Sequence, residues 1–317
     1  MKKWIEKRLP DNDFERFWKV VVAIAIIALA LTLIGIYGFK QYGLAVFVVT
    51  PLFIGLGSAI LFGLKKGIMF NQSWKIGFLS LTLFILFLLI FGLEGLVCIA
   101  MAAPFGFIIT WIGSSIGFFI VNKKPKKGPS ALFPLTAFIE KNQKPALTSV
   151  VTSIEIGADI HTVWKNVIEF PQLDEPTEFI FKTGIAYPID AKIEGAGVGE
   201  IRHCNFTTGS FVEPITVWDE PSLLKFDVVE QPEPMKELSF WDIDAPHLHD
   251  YFVSNQGQFK LTKLPGENTL LEGTTWYYHN ISPAFYWQFW SDYIIHKIHF
   301  RALTHIKKNA EKEAKEN

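Results

Sequence analysis

The residues best suited to chemistry lie near the C-terminus. Between Ser282 and Lys308, steps of four and three residues put Gln288, Asp292, Ile295, His299, Ala302 and Ile306 on one stripe of a helix. Asp292 and His299 are proton-transferring types, and an acid and a base on one helical face could act on a molecule held against it. The same groups could instead bond buried backbone and neighbouring side chains, or touch a ligand. The residues alone leave these uses open, and no catalytic residue is assigned. Lys297, Arg301, Thr304 and Lys308 fall on another face and are expected to meet water.

All eight histidines lie after residue 160. His247-Leu248-His249-Asp250 could offer two imidazoles and a carboxylate, but no second ligand pair stands at recognisable spacing, so no metal is expected. There is no glycine-rich phosphate loop, nucleophile elbow or paired CxxC, and hence no expected cofactor. Cys98 lies in an apolar run and Cys204 in a predicted strand, so a disulfide is not expected and the chain suits a reducing compartment. Residues 230–250 form a long apolar segment with Pro232, Pro234 and Pro246. Phe240 and Trp241 are its lid candidates over a cavity, the alternative being a patch that docks on the membrane helices. Phe285, Tyr286, Trp287, Phe289 and Trp290 make the start of the last helix aromatic, which suits core packing or ligand stacking.

The elements that position these residues fall into two unlike halves. Residues 20–122 contain only Lys40, Lys65, Lys66, Lys75 and Glu94 as charged side chains, all between apolar runs. The runs are Val20–Phe39, Gln41–Leu64, Ile76–Leu93 and Gly95–Asn122, each near the ~20 residues a helix needs to cross a hydrocarbon core. Helix is the required form, because lipid offers no partners to backbone N–H and C=O groups. Helices are expected at about 20–39, 43–64, 76–93 and 95–121, the last tilted or kinked near Ala102, Ala103 and Pro104.

Lys2, Lys3, Lys7, Arg8, Arg16 and Lys19 precede the first run, Lys65, Lys66 and Lys75 mark the second connection, and Lys123, Lys124, Lys126 and Lys127 follow the fourth run. The first and third connections carry only Lys40 and Glu94. Retention of positive charge on the cytoplasmic side predicts an integral protein of a bacterial inner membrane, with both termini and the C-terminal domain cytoplasmic. Glu94 in Gly92-Leu93-Glu94-Gly95 is expected to be a surface charge at the opposite side. Gly113-Ser114-Ser115-Ile116-Gly117 suits close helix approach, within the bundle or through self-association at Gly113 and Gly117. A net charge of −1 gives no reason to expect nucleic acid as a partner. Membrane lipids are expected partners.

Residues 123–146 read as a basic, proline-broken linker. Leu132, Phe133, Leu135, Phe138 and Ile139 beside it suit either the headgroup layer or packing on the next domain. A strand over Thr148–Ile156, a helix from Asp159 to Phe170 and several short strands follow. The strands are divided by turn signals at 195–197, 207–209, 219–221 and 265–268. Leu223–Val229 alternates, with Leu224 and Phe226 opposed to Lys225 and Asp227, as in an antiparallel sheet with one wet face. Ser282-Pro283 opens the last helix, which is expected to run to about Lys308, before a charged tail at 311–317.

The chain segment Ile154-Glu155-Ile156-Gly157-Ala158-Asp159-Ile160-His161-Thr162-Val163-Trp164 carries a resemblance, joined by Gly257–Thr262, Leu271–Tyr277 and the aromatic last helix. It resembles the START and Bet v 1-like superfamily of polyketide cyclase and lipid-transport proteins, over residues 147–310. The resemblance implies an α+β helix-grip domain, an antiparallel sheet wrapped on a long C-terminal helix; the four-span transmembrane bundle over 1–122 lies outside it and is read from the apolar runs. The resemblance also implies a cavity for an apolar, lipid-like small molecule, lined by Gln288, Asp292, Ile295, His299, Phe226 and Trp276. The superfamily shares no catalytic residues. A membrane-anchored binding protein is expected, with a polyketide cyclase or dehydratase-type enzyme, or an interaction protein with a vestigial cavity, as alternatives.

Overall fold

The computed structural model describes residues 2–38, 42–122, 146–243, 245, 248–249 and 251–316. Lys40, Lys123, Lys124, Lys126, Lys127, the apolar cluster at 132–139, His247 and Asp250 lie outside these residues. The chain forms two compact units.

The first unit is an α-helical bundle. A short helix, α1 (Lys2–Arg8), precedes four helices long and apolar enough to cross a membrane: α2 (Asp13–Gly38), α3 (Tyr42–Gly63), α4 (Phe70–Ile90) and α5 (Leu96–Asn122). Helix α2 begins seven residues before the apolar run, because Asn12 Oδ1 accepts the backbone N–H groups of Phe14 and Glu15 at 2.8 and 3.4 Å. An apolar run records the lipid-length stretch, whereas capping decides where the helix starts.

Small residues set the helix spacing. A Cβ added at Gly55 would stand 2.1 Å from the Thr110 carbonyl oxygen, and one at Gly113 would stand 2.4 Å from that of Leu52. Gly117 meets Ala59 in the same way at 2.7 Å. Gly113 and Gly117 therefore seat α5 on α3 of their own chain, and self-association through them would require those helices to part. Polar side chains inside the bundle pair with one another: Thr32 with Thr50 at 2.9 Å, and Ser58 with Ser80 at 3.1 Å.

Two later stretches, 237–245 and 281–283, belong to this first unit. Glu237 accepts the N–H groups of Val97 and Cys98, both at 3.2 Å, so it caps α5 from a distant part of the chain. Gly95 makes room for it, since a Cβ there would stand 2.1 Å from Glu237 Oε2.

The second unit is an α+β helix-grip domain. Seven antiparallel strands form one curled sheet in the order β1-β7-β6-β5-β4-β3-β2. They are β1 (Thr148–Ile156), β2 (Pro188–Glu194), β3 (Ile201–Phe206), β4 (Gly209–Asp219), β5 (Leu223–Asp227), β6 (Phe252–Lys263) and β7 (Thr269–His279). Helix α6 (Ile160–Ile168) follows β1, capped by Asp159, whose Oδ1 accepts the His161 and Thr162 N–H groups at 2.9 and 3.2 Å. The last helix, α7 (Ala284–Glu316), ends eight residues beyond the expected Lys308. Its final turns are held by partners: Glu311 accepts the Gly157 N–H at 2.9 Å, and Lys307 donates to the Glu155 carbonyl at 2.8 Å.

The core of this domain draws only on its own unit. Ile156, Trp164, Val167, Phe170, Leu224, Phe226, Leu261, Leu271, Leu303 and Ile306 are among its buried members. Each such large apolar side chain contributes about 1.5–3 kcal/mol on full burial.

Candidate functional site: the seam between sheet and last helix

The polar stripe of α7 faces β1 and β7. Side chains alternate along β7, so Gly273, Thr275 and Tyr277 point to the helix. Asp292 accepts a hydrogen bond from the Tyr277 hydroxyl at 2.6 Å. Ile295 packs with Val150 and the fully buried Tyr277. His299 is held on both ring nitrogens, Nδ1 to Thr152 Oγ1 at 3.1 Å and Nε2 to Thr275 Oγ1 at 2.7 Å. Thr152 Oγ1 also meets His296 Nδ1 at 2.8 Å. Ala302 and Ile306 continue the stripe into the core. Gln288 is half-buried near the start of the helix.

The environment keeps this seam uncharged around His299. Burial first, and His296 second, hold the His299 pKa down to about 4, so its ring is neutral at pH 7. Burial and the Asp292 carboxylate push the Tyr277 hydroxyl well above its ordinary range. Asp292 and His299 thus engage separate partners, and no hydrogen bond joins them. An acid and base acting on one reacting atom would converge on it.

Of the other cavity candidates, Phe226 lies in the core, where its ring fills the space beside Gly257: a Cβ there would stand 2.4 Å from it. Trp276 alternates to the opposite face of β7, where Lys225 Nζ lies 5.1 Å from its ring centroid. The lid candidates sit in the first unit. Trp241 packs on the connection between α4 and α5, its ring atoms about 3 Å from where a Cβ of Gly92 would stand, while Phe240 is fully exposed. Arg301 meets more than water: it donates to the carbonyls of Asp174 at 2.6 Å and Pro188 at 3.2 Å, and its guanidinium lies 5.0 Å from the Tyr187 ring. The long side chain folds back on the segment leading into β2.

The domain interior also holds a buried ion pair that the alternation pattern conceals. Arg202 on β3 pairs with Glu213, its cross-strand neighbour on β4, and lies 5.2 to 5.7 Å from the rings of Phe170, Phe226 and Phe259. Burial opposes its charge, but Glu213 and Cys204 outweigh that and raise its pKa, so the guanidinium stays ionised. The register was recoverable from sequence, because a turn at 207–208 opposes Arg202 to Glu213. Its depth was not. Burial, then Glu213, pushes the Cys204 thiol up to about 12, which leaves it protonated and a poor nucleophile. Trp164 is also fully buried here, edge-on to Trp218 with ring centroids 5.6 Å apart. Its indole N–H has no acceptor among the described residues.

No family model matches the chain, and no curated protein matches it. Solved structures align with its C-terminal half. A protein from Nitrosospira multiformis is 16% identical over 53% of this chain and 99% of its own, with a TM-score of 0.35. Truncated norcoclaurine synthase from Thalictrum flavum is 13% identical over 53% of this chain and 96% of its own, also with a TM-score of 0.35. A protein from Chromobacterium violaceum is 10% identical over 51% of this chain and 96% of its own, with a TM-score of 0.32. Similarity of this degree carries no functional argument, and the helix-grip assignment rests on the strand order and last helix described above.

Proposed function

We propose that this chain is a membrane-anchored binding protein whose helix-grip domain holds an apolar, lipid-like molecule bearing a hydrogen-bond acceptor. The observation that carries the reading is the Trp164 indole N–H, a donor in the domain core without an acceptor among the described residues. A buried donor of this kind costs ~1–3 kcal/mol unless something bonds it. The neutral His299 and the raised Tyr277 pKa support an uncharged guest over an anion. Separate partners for Asp292 and His299 support binding over proton transfer of the cyclase type.

The test is solvent extraction of the washed full-length protein, with mass spectrometry of what is released. One apolar, oxygen-bearing species is expected from the parent, with roughly fivefold less from Trp164→Phe, the loss of about 1 kcal/mol for one hydrogen bond. His299→Phe, which adds bulk at the seam, should release none. Identical extracts from all three folded proteins would overturn the proposal.

Lysines 65 and 66 support a cytoplasmic location for their end of the bundle. Glu237 caps α5 at the other end, which stands against placing every residue after Asn122 in the cytoplasm. Modification of Phe240→Cys by a membrane-impermeant thiol reagent decides this. Reaction from the side of Lys65 keeps 237–245 cytoplasmic, and reaction from the side of Gly92 places the segment across the membrane.

A further inference from the structure

The helical bundle contains an apolar space of its own. It lies between α3, α4 and α5, with about 440 Å³ of empty space counting its open side. Phe47, Phe84 and Leu88 line its walls, and α5 contributes Ala103 and Gly106, residues too small to fill it. A Cβ at Gly106 would meet nothing nearer than Leu81 Cδ2 at 3.9 Å, in contrast to Gly55 and Gly113, where backbone lies within 2.4 Å. Gly106 therefore leaves room in the wall, whereas the other two close a helix contact.

One end of the crevice is acidic. Glu94 lines it, only 3% exposed, and accepts a hydrogen bond from the Tyr42 hydroxyl at the start of α3. The expected surface charge is thus drawn into the bundle. Glu237, whose carboxylate caps the start of α5, brings a second acidic side chain to this end. From Cys98 beside Glu94 to Gly106, α5 rises about 12 Å at ~1.5 Å per residue, directed from the helix end towards the middle of the apolar span.

We infer that this crevice binds a bilayer phospholipid with a primary amine in its headgroup, the ammonium at Glu94 and the upper part of one acyl chain along α5 towards Gly106. Ile85, Ile99 and Ala103, which line the crevice, are half-buried and lie within the apolar helices, so an acyl chain entering between them needs no aqueous route. Glu94 sits at the helix end, where a headgroup resides. A carboxylate accepts N–H donors from a primary ammonium, while a quaternary ammonium has none to give and a phosphoglycerol head brings only negative charge.

The experiment is native mass spectrometry of the full chain in detergent, titrated with dioleoyl phosphatidylethanolamine, phosphatidylcholine or phosphatidylglycerol. One phosphatidylethanolamine per chain is expected, held about tenfold or more tightly than the other two, as for one charge-assisted hydrogen bond. Glu94→Gln should erase that preference. Gly106→Leu should lower retention of phosphatidylethanolamine to the level of the other lipids, and Ala103→Leu supplies a second filling variant should Gly106→Leu fail to fold. Equal retention of the three lipids by the parent would overturn the inference. So would unchanged phosphatidylethanolamine retention in Glu94→Gln, or in a folded filling variant. Trp164→Phe should leave this binding as in the parent, so failure here is distinguishable from failure of the helix-grip reading.

Discussion

Lowering the pH from 7 to 5 should loosen the helix-grip domain through His299. Its pKa is about 4 in the folded protein against an ordinary 6.5. Between those values the unfolded chain binds the proton and the folded chain does not, so stability falls as pH drops below 6.5 and levels off near 4. At about 1.36 kcal/mol per pH unit, the loss is roughly 2 kcal/mol between pH 7 and 5, and about 3 kcal/mol over the whole window. The lowered carboxylates of Asp159, Asp174 and Glu311 act elsewhere on the scale. Their contributions hold above the ordinary carboxylate range and are lost only as pH falls through their depressed values. His305 is also lowered, by burial, but it is present in both proteins of the comparison. Hydrogen exchange of β1 and β7 peptides, corrected for the intrinsic pH dependence, reads the effect in the parent and in His299→Gln. The parent should lose about 2 kcal/mol more protection than the variant on going to pH 5. Equal losses in both, or an imidazole signal of His299 titrating near 6.5, would refute the reasoning.

Arg202→Met alone should destabilise the domain by ~3–5 kcal/mol, because it strands the buried Glu213 carboxylate, and Arg202→Met with Glu213→Leu should recover most of the loss in thermal melting. Gly55→Leu should lower the thermal stability of the detergent-solubilised bundle by several kcal/mol, since the new side chain meets the Thr110 carbonyl, whereas Gly106→Leu should be tolerated. Reporter fusions after Gln41 and after Asn122 should lie on opposite membrane sides, and the same side for both would overturn the four-span reading. Residues 140–317 expressed alone should show a cooperative thermal transition, because the helix-grip core is drawn from that stretch, and a broad non-cooperative melt would count against it.

Much of this architecture is local, and local features are written in sequence. Apolar run length marks the four helices, since lipid demands that each segment satisfy its own backbone. Alternation and turn residues mark the strands, and the three-and-four spacing brings Asp292, Ile295 and His299 to one face, where Thr152, Thr275 and Tyr277 then meet them. Asn12 and Asp159 are capping signals at helix starts, although Asn12 stands eight residues before the apolar run begins, in a polar stretch that hydropathy does not mark as helix.

Only tertiary structure settled what depends on partners distant in the chain. Trp276 reads like any strand aromatic until pairing assigns it to the face away from α7. Arg202 reads as an exposed strand charge until three aromatic rings and Glu213 surround it, because burial depends on which elements fold over a strand. Arg301 has the look of a solvated cation, yet the carbonyls that hold it lie more than a hundred residues earlier. Glu94 and Glu237, which sequence places at an exposed turn and in a loop, are drawn in by Tyr42 and by the N–H groups of α5. Periodicity reports which side of an element is apolar. It carries no information on what comes to cover that side, and long-range pairing alone decides whether a charge ends in water, in an ion pair or at the end of a crevice.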